Sequence, residues 1–260
     1  MSQNLHKLFY KDYFLQDGKC VDFSYLLYNK KEAPKEVKKA IKKSNDSLCE
    51  SNLLEVIPIL EENIKPLHFK VLYPGIVTGI GIGHEAKIEG EFKLGIHFDW
   101  TYGMPVIYGS SVKGVLRSYF EEFYEPKDGQ PAKEDAFDDI FNGKNGDGFK
   151  SIYNRDIFFD AVIIEAEEDK KRILCPDSIT SHLEGPLKNP NPITFMKIAP
   201  GCVIEFRFKL VDSVITLKDS NKTLELKADE KLKIFEEILT TVGVGAKTNV
   251  GYGQLKAIKQ

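Results

Sequence analysis

The sequence predicts an α+β fold built on one β-α-β-β-α-β unit, the ferredoxin-like (RRM-like) arrangement, carrying long insertions. Three observations support this. The segment Leu67-His-Phe-Lys-Val-Leu-Tyr73 alternates apolar and polar residues as a half-buried strand does. Two stretches near 111–124 and 228–241 repeat apolar residues at helical spacing. Between them lie apolar runs at 157–164 and 202–210, and a closing strand at 252–258 completes the order.

Residues 1–65 read as an N-terminal helical extension. Leu5, Leu8, Phe9, Phe14 and Leu15 predict a short helix or docking segment, and a longer helix is predicted from Pro34 to about Leu60. On the longer helix Val37, Ala40, Ile41, Ser44 and Leu48 share one face, and Lys35, Lys38, Lys39, Lys42 and Lys43 share the other. The lysine row is either an RNA contact or a solvated face; Glu32 and Glu36 interrupt it and no aromatic is interleaved for stacking, which favours the solvated face.

Residues 66–260 read as a single domain with insertions at 125–150 and 172–200. Pro74-Gly75 ends the first strand, and the glycine cluster 78–84 is too flexible for a helix. Residues 92–98 are predicted as another strand and 101–107 as extended chain. Ser110 or Ser111 is suited to cap the helix that follows, whose buried stripe is Val112, Val115, Leu116, Tyr119, Phe120 and Phe123. The 125–150 insertion is polar, with a helical patch at 134–141 and an exposed turn at 142–148. Five prolines between 172 and 200 predict an irregular, partner-facing arm. Residues 214–217 are expected to extend the sheet, and Leu232, Ile234, Phe235, Ile238 and Leu239 line the last helix.

The formal net charge of −3 argues against a bulk electrostatic binder of nucleic acid, though not against a local basic groove. Cys20, Cys49, Cys175 and Cys202 form no C-x-x-C pair, so neither a zinc site nor a disulfide framework is indicated. The histidines lack metal-ligand spacing, and the acidic pairs Asp138-Asp139 and Asp156/Asp160 are of a kind common at helix ends and strand edges; no metal or cofactor is assigned. No apolar run approaches a membrane span and the polar Met1 end has no signal-peptide pattern, which predicts a cytoplasmic protein.

Two stretches offer binding chemistry. Gly243-Val-Gly-Ala-Lys-Thr-Asn-Val-Gly-Tyr-Gly253 has G-x-G-x5-G-x-G spacing, which fits neither the dinucleotide fingerprint nor the P-loop. It is either an ordinary glycine-rich turn or a cradle of backbone N–H groups with one cation, Lys247, beside Thr248 and Asn249. The second is the helix start at Gly109, where serine hydroxyls, free N–H groups, Lys113 and Arg117 suit an anion. Arg155, at the start of the next strand, is placed to reach ligand or chain. No catalytic constellation stands out; His84 is the best single candidate for a general base in metal-independent RNA cleavage.

Together, Thr78-Gly-Ile-Gly-Ile-Gly-His84, Pro105-Val-Ile-Tyr-Gly-Ser-Ser-Val-Lys-Gly-Val-Leu-Arg117 and the 243–253 loop resemble the RAMP superfamily of CRISPR-associated RNA-binding proteins. Within it, Phe159-Asp-Ala161, the 175–182 segment and Asn191-Pro-Ile-Thr-Phe-Met-Lys-Ile-Ala-Pro-Gly201 look like the sixth Cmr subunit of the type III-B effector. The resemblance covers about 67–258. It implies a non-catalytic subunit, not an enzyme, at the end of the backbone that holds the 3′ part of the guide. Its implied partners are guide RNA, target RNA, a backbone RAMP subunit, the small helical subunit and the first Cmr subunit, with no membrane. The implied RNA-facing residues are Ser110, Ser111, Lys113, Arg117, Gly245, Lys247, Thr248, Asn249 and Gly251, followed by Arg155 and His84. The alternative is a RAMP-type endoribonuclease that processes guide precursors with His84 as base.

Overall fold

Strand β1 (Ile64–Val71) is the axis of the main sheet, because it pairs along one edge with β6 (Val203–Lys209) and along the other with β9 (Leu255–Ala257). The computed structural model describes residues 4–28, 32–54, 63–79, 86, 88–93, 96–180, 192–216 and 222–258. Beyond β6 lie β3 (Ala161–Glu165) and the two-residue β2 (Val106–Ile107), giving the order β9-β1-β6-β3-β2 with antiparallel neighbours throughout. Leaving aside β2, the unit's fourth strand neighbours its first, then come the third and the second. That is the ferredoxin-like order the sequence predicts.

The two helices of the unit are α2 (Gly109–Phe123) and α3 (Ala228–Val242). They pack on the sheet face that carries Phe69, Ile204, Phe206 and Phe208, all buried. Alternation along the strands sets that face, and an aromatic cluster of Phe120, Phe141, Phe158, Phe208 and Phe235 fills the space above it. Burying each such side chain stabilises the fold by roughly 1.5–3 kcal/mol. At the far sheet face Glu205 pairs with His68 at 2.8 Å and with Arg207 at 2.5 Å.

In the N-terminal part, Leu5–Lys7 starts a helix that continues as a wider turn, Leu8–Asp12. Helix α1 (Lys35–Cys49) buries Val37, Ala40, Ile41, Ser44 and Leu48, the predicted face. The Tyr13 hydroxyl donates to Asn45 and the Ser44 hydroxyl donates to the Tyr13 carbonyl, fixing the two segments together. Leu5, Phe9, Tyr13 and Ile41 belong to the same apolar core as Phe69 and Phe206.

Several expectations are corrected. Helix α1 stops at Cys49, where Ser51 turns its hydroxyl onto the Ser47 carbonyl; residues 55–62 lie outside the described residues. Of the stretch 92–98, the described residues 92–93 and 96–98 form no strand beyond one bridge between Phe98 and Pro105: Phe92, Ile96 and Phe98 are buried, but the hydrogen bonds go to scattered partners, Lys93 N–H to the Thr194 carbonyl and His97 N–H to the Thr78 hydroxyl. Of residues 101–107, the first form a turn held by Asp99. The run at 157–164 is split into Ile157–Phe158 and β3.

The proline-rich stretch 172–200 is largely regular. β4 (Leu174–Thr180) and β5 (Pro192–Ile198) form an antiparallel hairpin from Leu174↔Ile198 to Thr180↔Pro192, with 181–191 outside the described residues. A two-stranded ribbon leaves one edge of each strand unpaired, so Pro176 and Pro192 cost it no ladder bond. Residues 213–216 do not join the main sheet. β7 (Ser213–Thr216) pairs with β8 (Thr223–Leu226) as a hairpin that leads into α3, and Asp212 accepts the Ala228 N–H where α3 begins.

Candidate nucleic-acid interface

The loop after α3 is a built structure. All four glycines, at 243, 245, 251 and 253, have positive φ. Gly253 shows why: at φ +79° a Cβ there would collide with the Val244 carbonyl, whose own N–H donates back to Gly253 O. The loop is stitched to residues 75–77, with Gly253 N–H donating to Gly75 O at 2.9 Å and Ala246 N–H to Val77 O at 2.7 Å. These bonds fix the loop in one conformation against its neighbouring segment.

Lys247 itself sits at φ +63°, a left-handed conformation that lysine rarely adopts. The short 3₁₀ turn Thr248–Val250 follows, and its bonds use the Lys247 and Thr248 carbonyls. Among the described residues the N–H groups of Gly245, Lys247, Thr248 and Asn249 have no acceptor. Lys247 and Asn249 are exposed, and their side chains bond to none of the described residues. A left-handed residue leading into a turn with successive free N–H groups is the geometry of an anion-binding nest, and the Lys247 ammonium adds the charge. The outlier backbone at Lys247 is held by the bonds its carbonyl accepts from the Val250 and Tyr252 N–H groups.

At the other candidate, Tyr108 and not a serine occupies the cap, without a side-chain bond. Gly109 N–H instead donates to the Asp160 carboxylate at 2.6 Å. This corrects the expected serine cap: an acid just before β3 already satisfies one of the orphan donors that start the helix. Ser110 and Ser111 lie in the first turn, exposed, with hydroxyls that bond to none of the described residues.

Lys113 and Arg117 rest over aromatic rings, Lys113 Nζ 5.6 Å from the Phe158 centroid and the Arg117 guanidinium 5.2 Å from that of Phe137. Burial, with the fields of Arg117 and Arg155, pushes the Lys113 pKa down against an opposing pull from Asp156. Arg155 anchors its Nε on the Lys150 carbonyl. Three cations from two sequence stretches are therefore close enough to repel one another, and an arriving anion would relieve that repulsion.

The two candidates do not share one wall. The helix start sits beside Phe158–Asp160, and Phe158 pairs with Phe208, which pairs with Lys65 of β1. The loop enters β9, whose Leu255 pairs with Val71. Lys65 and Val71 are six residues apart, roughly 20 Å along the strand. A ligand touching both must be an extended chain. His84 lies outside the described residues. Among the described residues no cluster of His, Cys, Asp and Glu could hold a metal, and no helix is long and apolar enough to cross a membrane.

Sequence reasoning missed Asp160 as the helix partner and Asp156 as a structural acid. It also missed Tyr252, buried beside the loop, whose hydroxyl donates to Asp177 at 2.8 Å. Asp177 pairs in turn with Lys197 at 2.5 Å, fastening the β4–β5 hairpin to the loop. The G-Y-G spacing and the C-P-D triplet were visible, but nothing in the sequence joined them across 75 residues.

The RAMP superfamily model matches residues 68–256. Similar solved structures include a chain of the type III-B Cmr-beta complex bound to cognate target RNA, at 23% identity, TM-score 0.49, and coverage of 75% of this chain and 58% of that one. Cmr6 from Pyrococcus furiosus aligns at 18% identity and TM-score 0.38, covering 77% of this chain and all of that one. Cmr4 from Pyrococcus furiosus aligns at 12% identity and TM-score 0.34, again over 77% and 100%. No curated protein matches.

Proposed function

Because the chain belongs to the RAMP superfamily, we propose that it is a non-catalytic, RNA-binding subunit of a type III-B (Cmr) CRISPR effector complex. In this reading it holds the 3′ part of the guide, and the target paired to it, at the end of the backbone filament. The carrying observation is the Gly245–Asn249 segment, four N–H groups with no acceptor among the described residues beside the exposed Lys247 cation. Such a site recognises a phosphate and no particular base, which suits a subunit that leaves sequence choice to base pairing.

The Lys113, Arg117 and Arg155 cluster is a second phosphate contact on the same strand. The low overall charge keeps the chain from binding RNA through its whole surface, so affinity depends on these local groups. Partners in this reading are the backbone RAMP subunit, the small helical subunit and the first Cmr subunit.

A salt titration tests the loop. Binding of a single-stranded oligoribonucleotide by Lys247→Ala is expected to show a log K versus log salt slope shallower by roughly 0.7 than wild type. An unchanged slope removes Lys247 from the interface. Guide-precursor RNA incubated with the wild-type protein without metal is expected to stay intact, and cleavage lost in His84→Ala would overturn the non-catalytic assignment.

A further inference from the structure

Tyr73 is a tyrosine with little reason, as packing, to be where it is: it follows β1 and is 84% exposed. Its neighbours are those of the glycine loop. Pro74 lies against Gly251, and Gly75 O accepts the Gly253 N–H. The Lys197 ammonium stands 5.9 Å from the Tyr73 centroid and 5.6 Å from that of Tyr252, and is itself nearly buried by its ion pair with Asp177. The cation therefore helps to position the ring at the loop while leaving it open to solvent.

We propose that Tyr73 is a stacking platform for one nucleobase of the RNA whose phosphate the Lys247 loop holds. The proposal rests on the reading of that loop as a phosphate contact. A free aromatic face beside a phosphate nest matches how single-stranded nucleic acid is gripped, with the backbone fixed electrostatically and a base laid on a ring. Every base has a π face, so the contact adds affinity without choosing sequence, as a guide-holding subunit requires. Asp177, Lys197 and Tyr252 act as positioning residues. They tie the ring's surroundings to the β4–β5 hairpin, which gives that hairpin a role in the interface.

The test uses the full chain with a fluorescein-labelled eight-nucleotide oligo(A) at low salt, and the same strand made abasic at one position at a time. Tyr73→Ala is expected to weaken binding of the intact strand on the order of ten-fold, while Tyr73→Trp stays close to wild type. One abasic position should weaken wild type by a similar factor and leave Tyr73→Ala unaffected. Equal losses for Tyr73→Ala on intact and all abasic strands would show that the ring does not stack. If Lys247→Ala weakens binding and Tyr73→Ala does not, stacking falls and the phosphate contact stands. If neither changes binding, both fall. A Tyr73→Ala variant that keeps RNA but loses a partner subunit on co-purification places the ring against protein and overturns the proposal.

Discussion

Gly253→Ala is expected to lower the thermal midpoint by roughly 6–12 °C and to abolish RNA binding through the loop. Two effects add. The residue holds φ +79°, which alone costs an alanine about 1 kcal/mol, and the new Cβ meets the Val244 carbonyl, a backbone atom that cannot swing aside. Moving it breaks the Val244 N–H to Gly253 O hydrogen bond that closes the loop and pulls on the bond to Gly75. A total near 3 kcal/mol converts to the stated shift for a chain of this size. Gly129→Ala is the control, since Gly129 also has positive φ, +85°, but open space around its Cβ position. Differential scanning calorimetry should give it a loss of only about 1 kcal/mol. Equal shifts for the two variants would mean that the Val244 contact contributes nothing.

Lys231→Met is expected to destabilise the protein by roughly 3–5 kcal/mol, read as a lower urea midpoint. Lys231 is fully buried on α3, and its ammonium meets Asp156 at 2.7 Å, the Ser213 hydroxyl at 2.8 Å and the Val211 carbonyl at 2.9 Å, with Asp139 at 3.6 Å. Lys150 pairs with Asp139 from the other side. Removing the one ammonium leaves the Asp156 carboxylate buried without its cation, which costs more than the pair contributes by existing. The double variant Lys231→Met/Asp156→Asn should therefore recover most of the loss. A double variant as unstable as the single one would show that packing, and not the stranded charge, sets the cost. The cluster lies where the start of α3, the 138–142 turn and the chain leaving β6 meet, so its loss should loosen the Lys113–Arg155 neighbourhood as well.

Much of this was legible in the chain. The alternation of Leu67, Phe69 and Val71 and the helical spacing of Val112, Leu116 and Phe120 depend on local chemistry alone, and the structure keeps both, although Tyr73, expected to continue the apolar side of the strand, falls beyond its end and is exposed. The failures share a cause. Residues 92–98 are apolar enough for a strand, but side-chain burial does not specify where the backbone bonds go. The prolines of 172–200 weaken a central strand, yet a two-stranded ribbon tolerates them. Asp156 and Asp160 looked alike in sequence, and only their neighbours separate a buried ion-pair partner from a helix cap.

The sequence by itself determined the β-α-β-β-α-β unit, the buried faces of its helices and the identity of the glycine loop, because period and glycine spacing are properties of consecutive residues. Only the tertiary structure decided that the loop is stitched to residues 75–77, that Asp160 and not serine meets the Gly109 N–H, and that Tyr73, Lys197, Asp177 and Tyr252 surround one spot. Hydrogen bonds and ion pairs across many tens of residues depend on strand register and hairpin docking, and no local pattern encodes either.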